Sequence, residues 1–258
     1  MASQRRALVV STGRDRGALA AIRSLTDFGW TVGVGTPDGP GMVGSSRAAA
    51  VRYPVPRPRG DASAFVAGVR AAVTAGSYDV VFGSGDDWMA AVSAYRDQIP
   101  ARVAHPPYEA VRLALDKVTL ADNARHVGLV APDTSPATDA ALTAWQGPVV
   151  VKCRTHWTPG QVRPHRIEAK LFPDVGAATP QVERLWQAGA EPVLQTPVHG
   201  SLGALIGVFH DGRLRGRVQQ VTSRLWPTPN GVSTRAQTVE VDEDLARRAE
   251  ALLARIGW

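Results

Sequence analysis

The sequence predicts an α/β protein, and three observations carry that prediction. Short apolar runs alternate with amphipathic helical runs through the first hundred or so residues, an order that produces parallel sheets covered by helices. Further on, two more apolar runs stop abruptly, Pro148-Val149-Val150-Val151-Lys152 at a charge and Glu191-Pro192-Val193-Leu194-Gln195 at a proline-containing hinge. The chain has 258 residues, 44% of them hydrophobic and 20% charged, enough to bury a sizeable core in two or three domains.

Taken in order, residues 7–11 read as a strand, 18–28 as an amphipathic helix, 31–35 as a strand, 62–75 as an alanine-rich helix, 78–82 as a strand and 88–96 as a helix. The first turn, Ser11-Thr12-Gly13-Arg14-Asp15-Arg16-Gly17, lacks the G-x-G-x-x-G spacing of a dinucleotide loop and reads as a plain strand-to-helix turn. Prolines in 54–60 make that stretch an extended connector. Gly83-Ser84-Gly85-Asp86-Asp87 follows a strand's carboxyl end, where open parallel sheets hold ligands. Its aspartates either cap the next helix or read an amine.

Residues 108–115 and 118–126 read as two helices, with Asp116 capping the second and Lys117 in its first turn, beside unpaired backbone donors suited to an anion. Lys152 ends the buried strand that follows. Each lysine alone is equally a solvated or snorkelling side chain; two converging would hold a triphosphate. Cys153, the chain's single cysteine, is either a thiol nucleophile beside Lys152 or a small buried strand residue. The next stretch is basic, with Arg154, His156, Arg163, His165 and Arg166 around Gly160, and it lacks the spacing of a metal pair. Residues 204–209 begin a second sheet whose hairpin turns at Asp211-Gly212. Asp242-Glu243-Asp244 starts a helix with Leu245, Ala249, Leu252, Leu253 and Ile256 at helical spacing.

This order of a helix lysine, a strand-end lysine, a loop over 154–163 and a hinge at Gln195, Thr196, Pro197 and Val198 resembles the ATP-grasp superfamily, in particular its carbamoyl-phosphate-synthase-like carboxylate-amine ligases. Gly128-Leu129-Val130-Ala131-Pro132-Asp133-Thr134 is similar to that family's G-(I/L)-x-x-P-x-(S/T) stretch, and Asn230-Gly231-Val232-Ser233-Thr234 to its Gly-Gly-x-Ser loop. Each motif is short, and the ordered set carries the likeness.

The resemblance implies a Rossmann-like N-terminal domain over 1–106, a small ATP-grasp lobe over 107–198, and an incomplete large lobe from 199 to 258. It implies ATP, with Lys117 and Lys152 on phosphates, Gln195, Thr196, Pro197 and Val198 on adenine, and Ser233 and Thr234 also at the nucleotide. Arg224 and Arg235 would be catalytic, at the phosphoryl or carboxylate group. A carboxylate would attack the γ-phosphate and an amine would displace the resulting acyl phosphate. The family's magnesium ligands lie on strands expected beyond Trp258, so Mg²⁺ is expected for the parent activity without ligands in these residues, and turnover would need a partner or further chain. The loop over 154–163 departs from the family's glycine-rich flap, which leaves the phosphate grip there open. The alternative is a nucleotide-binding module without turnover that regulates or completes a partner.

The net charge of +6, from 29 basic and 23 acidic residues, favours anionic partners. The arginines are dispersed, and no zinc spacing or aromatic RNP strand accompanies them, which disfavours nucleic acid against a nucleotide and an acidic small molecule. One cysteine precludes an internal disulfide. The apolar run after the basic start is too short for a signal peptide, and no run of about 18 apolar residues occurs, so a cytoplasmic location is expected. A homo-oligomer or a strand-donating partner is expected as well.

Overall fold

A computed structural model describes residues 4–162, 169–228 and 231–258. They divide into two compact units. One takes the chain up to Leu115 with a stretch beginning at Thr155; the other takes Asp116–Arg154 and the later residues through Trp258.

In the first unit the elements are β1 (Arg6–Val10), α1 (Arg16–Asp27), β2 (Thr31–Thr36), α2 (Gly41–Gly44), β3 (Val51–Pro54), α3 (Ser63–Gly76), β4 (Val80–Gly83), α4 (Asp86–Ala94), β5 (Arg102–Val103) and α5 (Tyr108–Leu115). The strands form the expected parallel sheet, in the order β3-β2-β1-β4-β5. β1 is apolar on both faces because helices cover both; Val9, Val32 and Val34 pack with Ala18, Ile22 and Val43. Gly33 is required by close packing, since a Cβ there would stand 2.0 Å from the Tyr78 hydroxyl.

The turn after β1 is a capping turn. Asp15 accepts from the N–H groups of Gly17 and Ala18 at 2.7 and 3.2 Å, and its other oxygen accepts from Ser84 Oγ at 2.7 Å. The aspartates after β4 do not cap α4 from outside. Gly85, with φ of 92°, is the N-cap, and Asp86 and Asp87 occupy the first turn, where negative charge suits the helix start. Behind this loop, His105 Nε2 accepts from Gly83 N at 2.7 Å; burial pushes its pKa down to about 4, so it is neutral.

The second unit contains α6 (Lys117–His126), β6 (Thr134–Pro136), α7 (Asp139–Ala144), β7 (Val149–Cys153), β8 (Lys170–Phe172), α8 (Val175–Gln187), β9 (Pro192–Gln195), β10 (Gly203–His210), β11 (Arg213–Trp226), β12 (Val232–Val239) and α9 (Glu243–Arg255). Two antiparallel sheets result, in the orders β6-β9-β7-β8 and β10-β11-β12. Asp211 and Gly212 both take positive φ, as the two-residue hairpin between β10 and β11 requires.

Strand β7 sorts its residues by period two. Val149, Val151 and Cys153 are buried against Ala178, Val182 and Leu185 of α8. Cys153 is thus the buried strand residue. Val150 and Lys152 face the other way, and across the ladder they meet Gln195 and Val193 of β9.

Asp116 holds the junction between α6 and β7. It caps α6 through Val118 N and Thr119 N at 3.0 and 3.2 Å and accepts an ion pair from Arg154 at 2.8 Å. Burial alone would raise the carboxyl's pKa, but the Arg154 guanidinium and the two backbone N–H groups outweigh it and hold it below the ordinary value. Asp116→Ala should destabilise the chain by about 2–4 kcal/mol, a cap plus a charged hydrogen bond. Because the folded pKa is depressed, this contribution is present above the unfolded carboxylate pKa and is lost as pH falls through the folded value. Urea unfolding of both forms should show the gap narrowing below about pH 4.

Candidate functional site

The register of β6, β7 and β9 assembles the site. Thr134 pairs with Gln195, and Gln195 pairs with Val150, so all three share the face that bears Lys152. That face opens on a cavity of about 510 Å³ whose walls include Val150, Lys152, Gln195, Thr196 and Val198. The volume falls within the roughly 300–1,000 Å³ of small-molecule pockets. His199, Gly200, Ser201 and Leu202 continue the wall to Leu225 and Gly231.

Lys152 sits half-buried at the cavity wall with no hydrogen bond or ion pair to another described residue. Burial pushes its pKa below the ordinary lysine value. A phosphate oxygen would reverse that, since an opposite charge favours the ammonium. Gln195 Nε2 donates to Thr134 Oγ1 at 2.8 Å. Thr196 N donates to Asp133 O at 2.9 Å, which anchors the hinge, while the N–H of Val198 bonds no described residue. Pro197 lies between them and is not part of the wall.

The other expected residues take separate places. Lys117 does not line the cavity; its backbone N–H and its Nζ both donate to Arg154 O, at 3.2 and 3.3 Å, just past the end of β7. Arg224 lines a second hollow of about 370 Å³ that shares Gly200, Ser201, Leu202 and Leu225 with the first. Arg224 Nε donates to Thr234 Oγ1 at 3.1 Å, and Thr222 Oγ1 donates to Ser233 Oγ at 3.0 Å. Arg235 is the ladder partner of Arg224, which leaves two exposed guanidinium groups opposite each other. Like charges so placed repel unless an anion lies nearby.

The segment expected as a phosphate flap is differently employed where it is described. Arg154 pairs with Asp116 and with Glu191 at 3.2 Å. Trp157 is only 2% exposed, donates to Pro58 O at 2.9 Å and meets Tyr108 edge-on. Gly60 N donates to Gln161 O at 2.8 Å. Residues 155–161 are therefore packed on the N-terminal unit. Arg163, His165 and Arg166, and also Asn230, lie outside the described residues. Sequence reasoning missed Trp157 as an anchor and Thr134 as a partner of Gln195. A tryptophan within a basic loop was the available signal for the first.

Among the described residues no group of three or more His, Cys, Asp or Glu side chains gathers. Nor does any helix among them have the length and apolarity to cross a membrane.

No protein-family model matches the chain, and no curated protein does. Solved structures do. Biotin carboxylase from Campylobacter jejuni in complex with β,γ-ATP aligns with a TM-score of 0.67 at 14% identity, over 97% of this chain and 59% of that one. An L-amino acid ligase from Bacillus licheniformis aligns at 0.64 and 14%, over 99% and 61%. N5-carboxyaminoimidazole synthetase from Staphylococcus aureus aligns at 0.63 and 11%, over 97% and 62%. The chain thus spans about three-fifths of the length of these structures. Its α/β architecture, a five-stranded parallel sheet followed by antiparallel sheets, is the fold it shares with these structures.

The half-buried ammonium leads to a prediction about stability. Lys152→Met should not lower the melting temperature of the unliganded chain, because it removes a charge that burial disfavours. With a folded pKa below the unfolded one, the cost of Lys152 is present at neutral pH and fades as pH rises toward the ordinary lysine range. Thermal unfolding of both forms at pH 7 and pH 10 should show their difference shrinking.

Proposed function

We propose that the chain binds ATP in the cavity of the second unit and that its activity is that of a ligase joining a carboxylate to an amine through an acyl phosphate. The observation supporting this most is Lys152, an ammonium held at a strand end in a cavity whose wall also includes Gln195, Thr196 and Val198. In this reading Lys152 binds a phosphate oxygen as a point charge, and Gln195, Thr196, Pro197 and Val198 flank the adenine. Lys117 braces the end of β7 through Arg154 O and stands near the same phosphates. Ser233 and Thr234 hold the loop beside the second hollow, and Arg224 with Arg235 draws the phosphoryl or carboxylate anion there. Each of the three structures named above is a ligase, synthetase or carboxylase by name, and one is a complex with β,γ-ATP, which favours the ligase class. Magnesium would neutralise the transferring group in such a reaction; no step is assigned to it in these residues.

A second reading, a nucleotide-binding module without turnover, draws on the sheet beside the cavity. Ala204, Ile206 and Val208 of β10 share a face with Gly216, Val218 and Gln220 of β11, and none is ionisable. Phosphoryl transfer depends on charges set around the transferring group, and these six residues supply none.

Calorimetric titration with ATP tests the site. Binding is expected, and Lys152→Ala should weaken it by about 10- to 150-fold, the equivalent of a 1.5–3 kcal/mol charged hydrogen bond. Unchanged affinity in the variant would remove Lys152 from the site. ADP release across a panel of carboxylates and amines then separates the readings: substrate-dependent release supports the ligase, and ATP binding without release supports the module.

A further inference from the structure

Gln195 is bonded in a way that decides what its amide can read. The single hydroxyl proton of Thr134 is engaged, since Thr134 Oγ1 donates to Pro132 O at 3.0 Å. Toward Gln195 it can only accept, and it does so from Nε2 at 2.8 Å. Pro132 O is itself held by Arg125 Nη2 at 2.8 Å, and Arg125 is fixed by ion pairs to Asp122 and Asp133. One of the two Nε2 protons is therefore engaged, which fixes the orientation of the amide, and Oε1, which bonds no described residue, is left for the cavity that Gln195 lines.

We infer that Thr134 is a positioning residue that locks the Gln195 amide with its carbonyl oxygen toward the cavity, making the site selective for a base with an exocyclic amine over one with a carbonyl. Adenine offers an N6 amino donor where guanine offers the O6 acceptor. Gln195 Oε1 accepts from the first and repels the second, and a flipped amide would reverse the preference. The Thr134 bond opposes the flip, because Oε1 facing the hydroxyl would need the proton now given to Pro132 O. The inference rests on reading the cavity as a nucleotide site and adds the basis of base selection to it.

The test is the ratio of ATP to GTP affinity, measured by titration for the wild type, Thr134→Val, Thr134→Ser and Gln195→Met, with thermal melts confirming folding. The wild type should prefer ATP by about 10-fold or more, as for one hydrogen bond gained against one acceptor left facing another. Thr134→Val should bring the ratio toward one chiefly through tighter GTP binding, and Thr134→Ser should restore it. Gln195→Met should abolish the preference whether or not the valine variant folds, and Thr134→Ala replaces that variant if it does not. A merely structural role for Thr134 would lower both affinities together and leave the ratio alone, which overturns the inference. Equal ATP and GTP affinity in the wild type overturns it too while leaving the nucleotide site standing. Binding of neither nucleotide defeats the site itself, and the inference with it.

Discussion

The period-two register of strand β7 is the constraint on which the rest of the second unit depends. Val149, Val151 and Cys153 must face α8, and this sends Val150 and Lys152 to the opposite side. A slip of one residue would drive the ammonium into the apolar core and expose the valines, so the register is strongly specified. Lys152 is held in place by the burial of its neighbours. Its position at the cavity wall follows from packing that involves no ligand.

The same strand end organises the helix that precedes it. Arg154, just past β7, uses its side chain on Asp116 and Glu191 and its carbonyl on both donors of Lys117. Asp116 in turn caps α6. One short stretch thereby ties the start of a helix to the end of a strand, through an Arg154–Asp116 pair whose carboxylate is only 5% exposed. Among the residues that follow, Trp157 finds a buried place against Pro58 and Tyr108.

Much of this was legible in the sequence where local chemistry decides structure. Asp116 was readable as a cap and Asp242 as part of a helix start, and both cap their helices through two backbone N–H groups. The valine run ending in Lys152 was readable as a strand with a charge at its end, and the run from Glu191 as a strand leading into a hinge. What could not be read depends on partners distant in the chain. β3 was not read from the sequence; it ends where the connector expected over 54–60 begins, and it is tolerated as an edge strand with Pro54 at its last position. β6 and β8 are three residues each and exist through pairing with β9 and β7. The bond between Thr134 and Gln195 spans 61 residues, and that between Trp157 and Pro58 spans 99, beyond any local pattern.

The central claim is that nucleotide binds in the second unit, between the end of β7 and the hinge after β9. Hydrogen exchange followed by mass spectrometry, with and without ATP, tests this most directly. The account predicts nucleotide-dependent slowing concentrated in residues 196–202 and at the end of β7. Slowing confined to the loops at 11–17 and 83–87 of the first unit, with the hinge unchanged, would contradict it.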